Sequence, residues 1–300
     1  MRGTLPAVVA LFGLSTAAFA QQADDYALRF NGTTDFVAMP QTATAVNSFT
    51  IDLWVNPSAE HQVDDESLEG YAGIDGQRYA VYPSHGTHDW GRGHAGVGLS
   101  VGTNGVSVYE HAGDYIPAVL VHRQALSGWT RVTLVYRDRT PSLYIDGRLV
   151  RTGRQSPQPF VHPSTGDAHP GRMVSGIGGG PYGYYSGELD NVRIWSSALT
   201  DAEITSQQSA MTLPGLLLSL DMNQSGAGRG LIVANAAAID RSALALTHGT
   251  ERTPSFTLRP QRGGTRIGAI EGPPPQISTP LEAATGRSSG RTSQSGPTIR

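Results

Sequence analysis

Three imidazoles and an indole crowd the stretch His85-Gly-Thr-His-Asp-Trp-Gly-Arg-Gly-His94, and His111 follows soon after. Imidazole nitrogens suit zinc, copper or nickel, so His85-x-x-His88 with Asp89 has the outline of a transition-metal site. Glycines punctuate the stretch, however, and the spacing fits no helix that would align those ligands. The reading favoured by the residues is a ligand-facing loop with Trp90 as its apolar platform. A second ring-rich segment, Pro181-Tyr-Gly-Tyr-Tyr-Ser186, follows Gly178, Gly179 and Gly180, which permit unusual backbone angles. Tyr182, Tyr184 and Tyr185 there offer rings with hydroxyl tips. A sugar has apolar C–H faces that pack on such rings and hydroxyls that need hydrogen-bond partners. His85, Asn104, Glu110 and His111 are candidates for those partners if their loops converge.

Hydrolysis of a glycosidic bond would need two carboxyls held ~5–9.5 Å apart across a cleft. The nearest acidic cluster is Asp64-Asp65-Glu66-Ser67-Leu68-Glu69. It crowds a polar segment in which apolar alternation is lost, so a solvated loop is the better reading and no catalytic residue is assigned. No nucleophile elbow, H-E-x-x-H helix or phosphate-binding loop is read either: Gly98-Leu-Ser-Val-Gly102 falls in a strand and its hairpin, and Gly286-Arg-Ser-Ser-Gly290 in the polar tail.

Elements that must position these residues are mostly strands. Ser48-Phe-Thr-Ile-Asp-Leu-Trp-Val55 alternates strictly, with Phe49, Ile51, Leu53 and Val55 on one face. Gly96 to Val101 and Val106 to Tyr109 flank Gly102-Thr-Asn-Gly105, a hairpin signal in which Asn-Gly supplies positive φ. Ile116 to Val121 and Trp129 to Tyr136 are further strands. Asp146-Gly147 joins Leu143-Tyr-Ile145 to Leu149-Val150, while Glu188 to Trp195 and Gly215 to Leu220 complete the set. Short strands at this spacing predict an all-β sandwich. One helix is expected near the C-terminal end. Thr200-Asp-Ala-Glu203 is a capping box, with Leu199 and Ile204 as its hydrophobic staple.

Composition sets the limits. The 300 residues include no Cys, 37 Gly and 19 Pro, carry a net charge of −3, and take all 22 basic residues as Arg. That balance offers nucleic acid no basic patch. Residues 1–20 read as an export signal, with Arg2, the apolar run Leu5 to Leu14 and the cleavable Ala18-Phe-Ala20. No later apolar stretch approaches the ~18 residues of a membrane span. The chain is therefore expected in the exterior or periplasm, or at the cell surface, and without disulfides it needs a real core. A globular domain is placed at residues 24–258 and a disordered Pro/Gly/Ser/Thr-rich tail at 259–300.

The order of these segments resembles the bacterial laminin-G-like jellyroll domains of the concanavalin A-like lectin/glucanase group. The resemblance rests on Ala27-Leu-Arg-Phe-Asn-Gly-Thr-Thr-Asp-Phe-Val37, Phe49 to Pro57, Gly128 to Tyr136 with Leu143-Tyr-Ile-Asp-Gly147, Gly187 to Trp195, the capped segment Ala198 to Ile204, and Gly215 to Asp221. It implies a two-sheet antiparallel jellyroll with loops gathered over the concave face. Many members bind carbohydrate or protein ligands, and many carry calcium. Asp35 and Asp190 match the positions where relatives hold a structural calcium. The resulting expectation is a non-catalytic module that recognises a glycan or a cell-surface protein. A polysaccharide-degrading enzyme of the same fold, or a structural or adhesion spacer, stands as the alternative.

Overall fold

The computed structural model describes residues 26–37, 45–113, 115–164, 175–206, 213–222 and 257–260. The predicted export signal and nearly all of the predicted tail lie outside these residues. Strands follow in chain order as β1 (Tyr26–Asn31), β2 (Phe49–Pro57), β3 (Tyr79–Val81), β4 (His94–Gly102), β5 (Gly105–His111), β6 (Ala118–His122) and β7 (Thr130–Arg137). The second half adds β8 (Thr140–Ile145), β9 (Arg148–Thr152), β10 (Phe160–Pro163), β11 (Gly179–Gly180), β12 (Gly183–Tyr184), β13 (Ser186–Trp195), β14 (Leu216–Leu220) and β15 (Thr257–Pro260).

Two sheets face one another. The first runs β15-β1-β13-β2-β7-β8-β9, with β14 also on β13, and the second runs β10-β4-β5-β6, with β3 also on β4. Alternation decides which residues meet between them. Phe49, Ile51, Leu53 and Val55 of β2 and Val132, Leu134 and Tyr136 of β7 point inward, against Val97, Leu99 and Val101 of β4 and Val106 and Val108 of β5. All of these are fully buried, and each such side chain contributes roughly 1.5–3 kcal/mol on leaving water. Pairings are antiparallel as expected, with one exception. β10 runs parallel to β4, with Phe160 opposite His94 and His162 opposite Gly96.

The outer face of the first sheet is roofed by α2 (Asp201–Thr205). Its capping box forms as predicted, and Leu199 and Ile204 are buried in one apolar cluster. Beneath it, Arg131 Nε donates to Asp52 Oδ1 at 2.8 Å and Nη1 donates to the Ile204 carbonyl at 2.6 Å. The guanidinium thereby satisfies a helix-end carbonyl as well as a buried carboxylate.

A second helix, α1 (Gly86–Trp90), stands where glycine punctuation argued against one. The glycines bracket the helix instead of breaking it. His85 caps the N-terminus by accepting the His88 amide at 3.2 Å through Nδ1, and Gly91 ends the helix at φ 104°. The Asn104-Gly105 hairpin also departs from expectation, because only Gly105 takes positive φ there. Asp146 and Gly147, by contrast, adopt φ of 49° and 77°, as the Asp-Gly signal predicts.

Candidate functional site: a ring-lined rim around α1

The outward positions of β4 are His94, Gly96, Gly98, Ser100 and Gly102, because Val97, Leu99 and Val101 point into the core. That stripe of small residues lets another segment lie directly on the strand. A Cβ on Gly96 would collide with the Ser84 carbonyl, and one on Gly98 with the Pro83 ring. The chain thus crosses β4 at Pro83 and Ser84 and turns into α1 above the start of that strand. This crossing places His85, His88 and Trp90, while β4, β5 and β10 supply His94, His111, Phe160 and His162.

Two ring groups result. In the first, His85 lies 4.5 Å from His111 and 5.2 Å from His88, ring centre to ring centre. His111 in turn meets Tyr182 edge-to-face at 5.6 Å, and Tyr182 lies 5.8 Å from Tyr82. His111 is buried and its Nδ1 lies 3.1 Å from the Pro83 carbonyl, which accepts its proton. The row continues inward through Tyr79 to Tyr109, under the segment that links β2 to β3.

In the second group, Trp90 stacks on His162 at 4.2 Å with planes 16° apart, and Phe160 stacks on His94 at 4.5 Å. His94 and His162 have planes only 9° apart and centroids 5.0 Å apart, while His94 Nδ1 lies 2.8 Å from His162 Nε2. A bond that short at that centroid spacing puts the two imidazoles edge to edge in one plane, as a flat tile. His162 Nδ1 lies 2.9 Å from the Ala45 carbonyl. Burial pushes the His162 pKa down to about 4, and burial also lowers that of His94. Trp90 and His94 are half-buried, and Phe160 is 43% exposed.

The structure therefore brings together four of the predicted ligand residues, His85, Trp90, His111 and Tyr182, around α1. Tyr184 is half-buried on the β11–β12 hairpin, opposite Gly179. Three others lie elsewhere. Asn104 sits at the far end of β5, seven residues or ~23 Å from His111 along the strand. There it holds the neighbouring segment, accepting from the His61 amide at 3.1 Å and donating to the His61 carbonyl at 2.9 Å. Glu110 points into the sandwich, where its oxygens accept from Tyr136 Oη at 2.9 Å and from Ser156 Oγ. Burial raises its pKa to about 7, with the two hydroxyl bonds opposing the rise. Tyr185 is a core residue, edge-on to Phe30 at 6.1 Å.

Phe160 and His162 escaped the sequence reading, and His94 was counted in the histidine-rich stretch but not among the ligand residues. His94 and Gly96 share a face by simple alternation, which was a usable signal. Phe160-Val-His-Pro163 is too short a run to stand out, and only its parallel pairing to β4 reveals its role.

The two predicted calcium ligands do not form one site. Asp35 Oδ2 accepts the Asn31 amide at 3.0 Å, and Asn31 pairs with Ser186 across the ladder. Asp190 lies four residues further along β13, ~13 Å away along the strand. It accepts from Asn191 Nδ2 at a bulge. One cation at 2.3–2.6 Å from both is impossible at that separation. Among the described residues no group of three His, Cys, Asp or Glu side chains is arranged to hold a metal.

In the acidic cluster Asp65 and Glu69 are exposed, as expected of a solvated loop, whereas Asp64 and Glu66 are half-buried and engaged. Asp64 Oδ2 accepts from Tyr109 Oη at 2.8 Å and from Gln77 Nε2 at 3.1 Å. Asp65 pairs with Arg123 at 2.9 Å, while Glu66 accepts the Val121 amide at 2.8 Å and pairs with Arg151. Asp64 fastens the segment to β5, and Glu66 ties it to β6 of the second sheet and β9 of the first. Two clefts occur away from the rings. One of about 720 Å³ is lined by Arg137, Tyr144 and Asp201, and one of about 350 Å³ by Arg29, Asn56 and Glu188.

Among solved structures, the chain resembles a candidate carbohydrate-binding protein from Bacteroides ovatus at 15% identity, covering 83% of this chain and 62% of that one, with a TM-score of 0.43. It therefore spans less than two thirds of that protein's length. Domain 4 of an extracellular GH43 arabinanase from Geobacillus stearothermophilus, solved with arabinotriose, matches at 18% identity over 60% and 74% of the two chains, with a TM-score of 0.35. A SAP-like pentraxin from Limulus polyphemus matches at 16% identity over 62% and 83%, with a TM-score of 0.34. No curated protein matches the chain. No helix among the described residues is long and apolar enough to cross a membrane. A family profile described as the concanavalin A-like lectin/glucanases superfamily matches residues 31–205, which run from the end of β1 through β13 and α2. The chain belongs to the concanavalin A-like lectin/glucanases superfamily.

Proposed function

We propose that this chain is an exported, non-catalytic module that binds a glycan across the rim around α1. The observation that carries the reading is the pair of part-exposed rings, Trp90 and Phe160, each backed on one face by an imidazole of the flat tile. Backing fixes each ring, so little rotamer freedom is lost when a pyranose C–H face settles on its other side. The first ring group supplies polar edges nearby, through His85, His88 and Tyr182. Rings that reach solvent, Phe160 at 43% exposure and half-buried Trp90, suit a polymer lying across them better than a small molecule that must be enclosed. Asp64 and Glu66 are engaged by Tyr109, Gln77, the Val121 amide and Arg151, which argues against a hydrolase using them as paired acid and base.

The test is affinity electrophoresis of the protein against soluble polysaccharides, paired with an assay for reducing-sugar release. Retardation without release is expected, together with Trp90→Ala and Phe160→Ala variants that run freely. Sugar release abolished by Asp65→Asn or Glu66→Gln would make the protein a hydrolase. Export is tested by N-terminal sequencing of the secreted product, which should begin just after Ala20.

A further inference from the structure

The hydrogen-bond partners of the imidazole tile dictate where its protons sit. The Ala45 carbonyl can only accept, so His162 Nδ1 carries a proton. In a neutral imidazole the other nitrogen is then an acceptor, so His162 Nε2 must receive the proton of His94 Nδ1. By the same rule His94 Nε2 bears a lone pair. That nitrogen bonds no described residue, and His94 is half-buried at the rim. Trp90, whose indole N–H likewise has no partner among the described residues, brings a donor to the same assembly.

From this relay we infer that His94 is a specificity-determining residue of a saccharide subsite: its Nε2 accepts a ligand hydroxyl while the sugar ring packs on Phe160 or Trp90. The inference rests on the glycan-binding reading above and narrows its ligand to neutral, hydroxyl-rich sugars. A lone pair attracts an O–H and repels a carboxylate. Uronates and other acidic sugars are therefore disfavoured while His94 is neutral. His162 and Ala45 act as positioning groups, since they fix the tautomer without touching the ligand.

Protonation would invert this preference. The first proton taken up by the tile goes to His94 Nε2, the nitrogen not already bonded, and turns the acceptor into a donor. Titratable groups on the elements packed against His94 are His162 on β10, His88 and Asp89 on α1, Arg92 in the turn that follows, and Glu110 and His111 on β5. Burial holds both tile imidazoles neutral through the neutral pH range.

The experiment measures affinity at pH 7.5 and pH 5 for neutral probes (β-glucan, xylan, arabinan) and acidic ones (polygalacturonate, alginate). A neutral probe should bind best at pH 7.5. His94→Phe keeps the ring but loses the acceptor and should weaken binding about tenfold, the worth of one buried hydrogen bond. His94→Gln, which can donate to His162 and still offer an oxygen, should recover most of that loss. Imidazole ¹⁵N shifts of the free protein at pH 7.5 should show His94 Nε2 unprotonated. A protonated Nε2 in those spectra overturns the relay. So does a His94→Phe variant that binds like the wild type while Trp90→Ala and Phe160→Ala do not, an outcome that leaves the glycan reading standing. Preference for polygalacturonate or alginate at pH 7.5 overturns the ligand class alone. If no polysaccharide binds the folded protein, both readings fall together.

Discussion

Glu110 holds a carboxyl group between the two sheets, with Tyr136 on β7 and Ser156 in the segment before β10 as its donors. With its pKa raised to about 7, the folded state keeps a proton that the unfolded chain releases near 4.5. Stability from this group is therefore complete below 4.5 and is lost as pH rises through 7. His61 and His162 act with the opposite sign. Burial lowers both to about 4, so the unfolded chain gains protons below about 6.5 that the folded state refuses, and stability falls between 6.5 and 4. Glu110→Gln removes only the first effect. It should raise the melting temperature at pH 8 relative to wild type by up to ~3 kcal/mol of stability, change it little at pH 5, and steepen the loss on the acid side. Melting curves across pH 4.5–8 check this, and a variant shift that is the same at every pH would refute it. The inward direction of Glu110 was legible, since Val106, Val108 and Glu110 share one face of β5 by alternation. A polar side chain at the last inward position simply looked like a loop residue. Tyr185 misled for a related reason: three tyrosines in four positions cannot all face one way, and sequence does not say which turns in.

Strand β4 shows how an element prepares a site without touching a ligand. Its outward glycines admit the crossing at Pro83 and Ser84, and α1 inherits its position from that contact. Gly96→Ala should lower stability by ~1–3 kcal/mol, because the new methyl meets backbone rather than a side chain that can swing aside. The same variant should weaken glycan binding, since α1 carries Trp90 and is capped by His85. Paired urea-melting and affinity measurements check both, and a stable variant with normal affinity would contradict this account of β4. The two helices differ in legibility for a physical reason. α2 is specified by a local capping box, whose partners lie three residues apart. α1 has five residues and is held by contact with β4, so its glycines read as breakers until the tertiary partner is known.

For the whole molecule, alternation within single strands was enough to give the class of fold, because the inward face of each strand must be apolar whatever its partner is. Pairing across the chain was not legible in the same way. His94 and His162 are 68 residues apart and meet only because β10 joins β4 in parallel. Asp35 follows β1 and Asp190 lies on β13, strands that pair, but the ladder register separates the two carboxylates. The ring rim is thus a product of topology, and the proposed function requires that a glycan lie on Trp90. The chain has four tryptophans, and Trp195 is fully buried beneath α2, which makes it an internal reference. The most direct measurement follows the indole ¹H–¹⁵N resonances, with Trp90 assigned through Trp90→Phe, while an oligosaccharide from the best-binding polysaccharide is titrated in. The account predicts that the Trp90 resonance moves with saturation and that of Trp195 stays. Saturable binding with a motionless Trp90 signal would place the ligand elsewhere and contradict it.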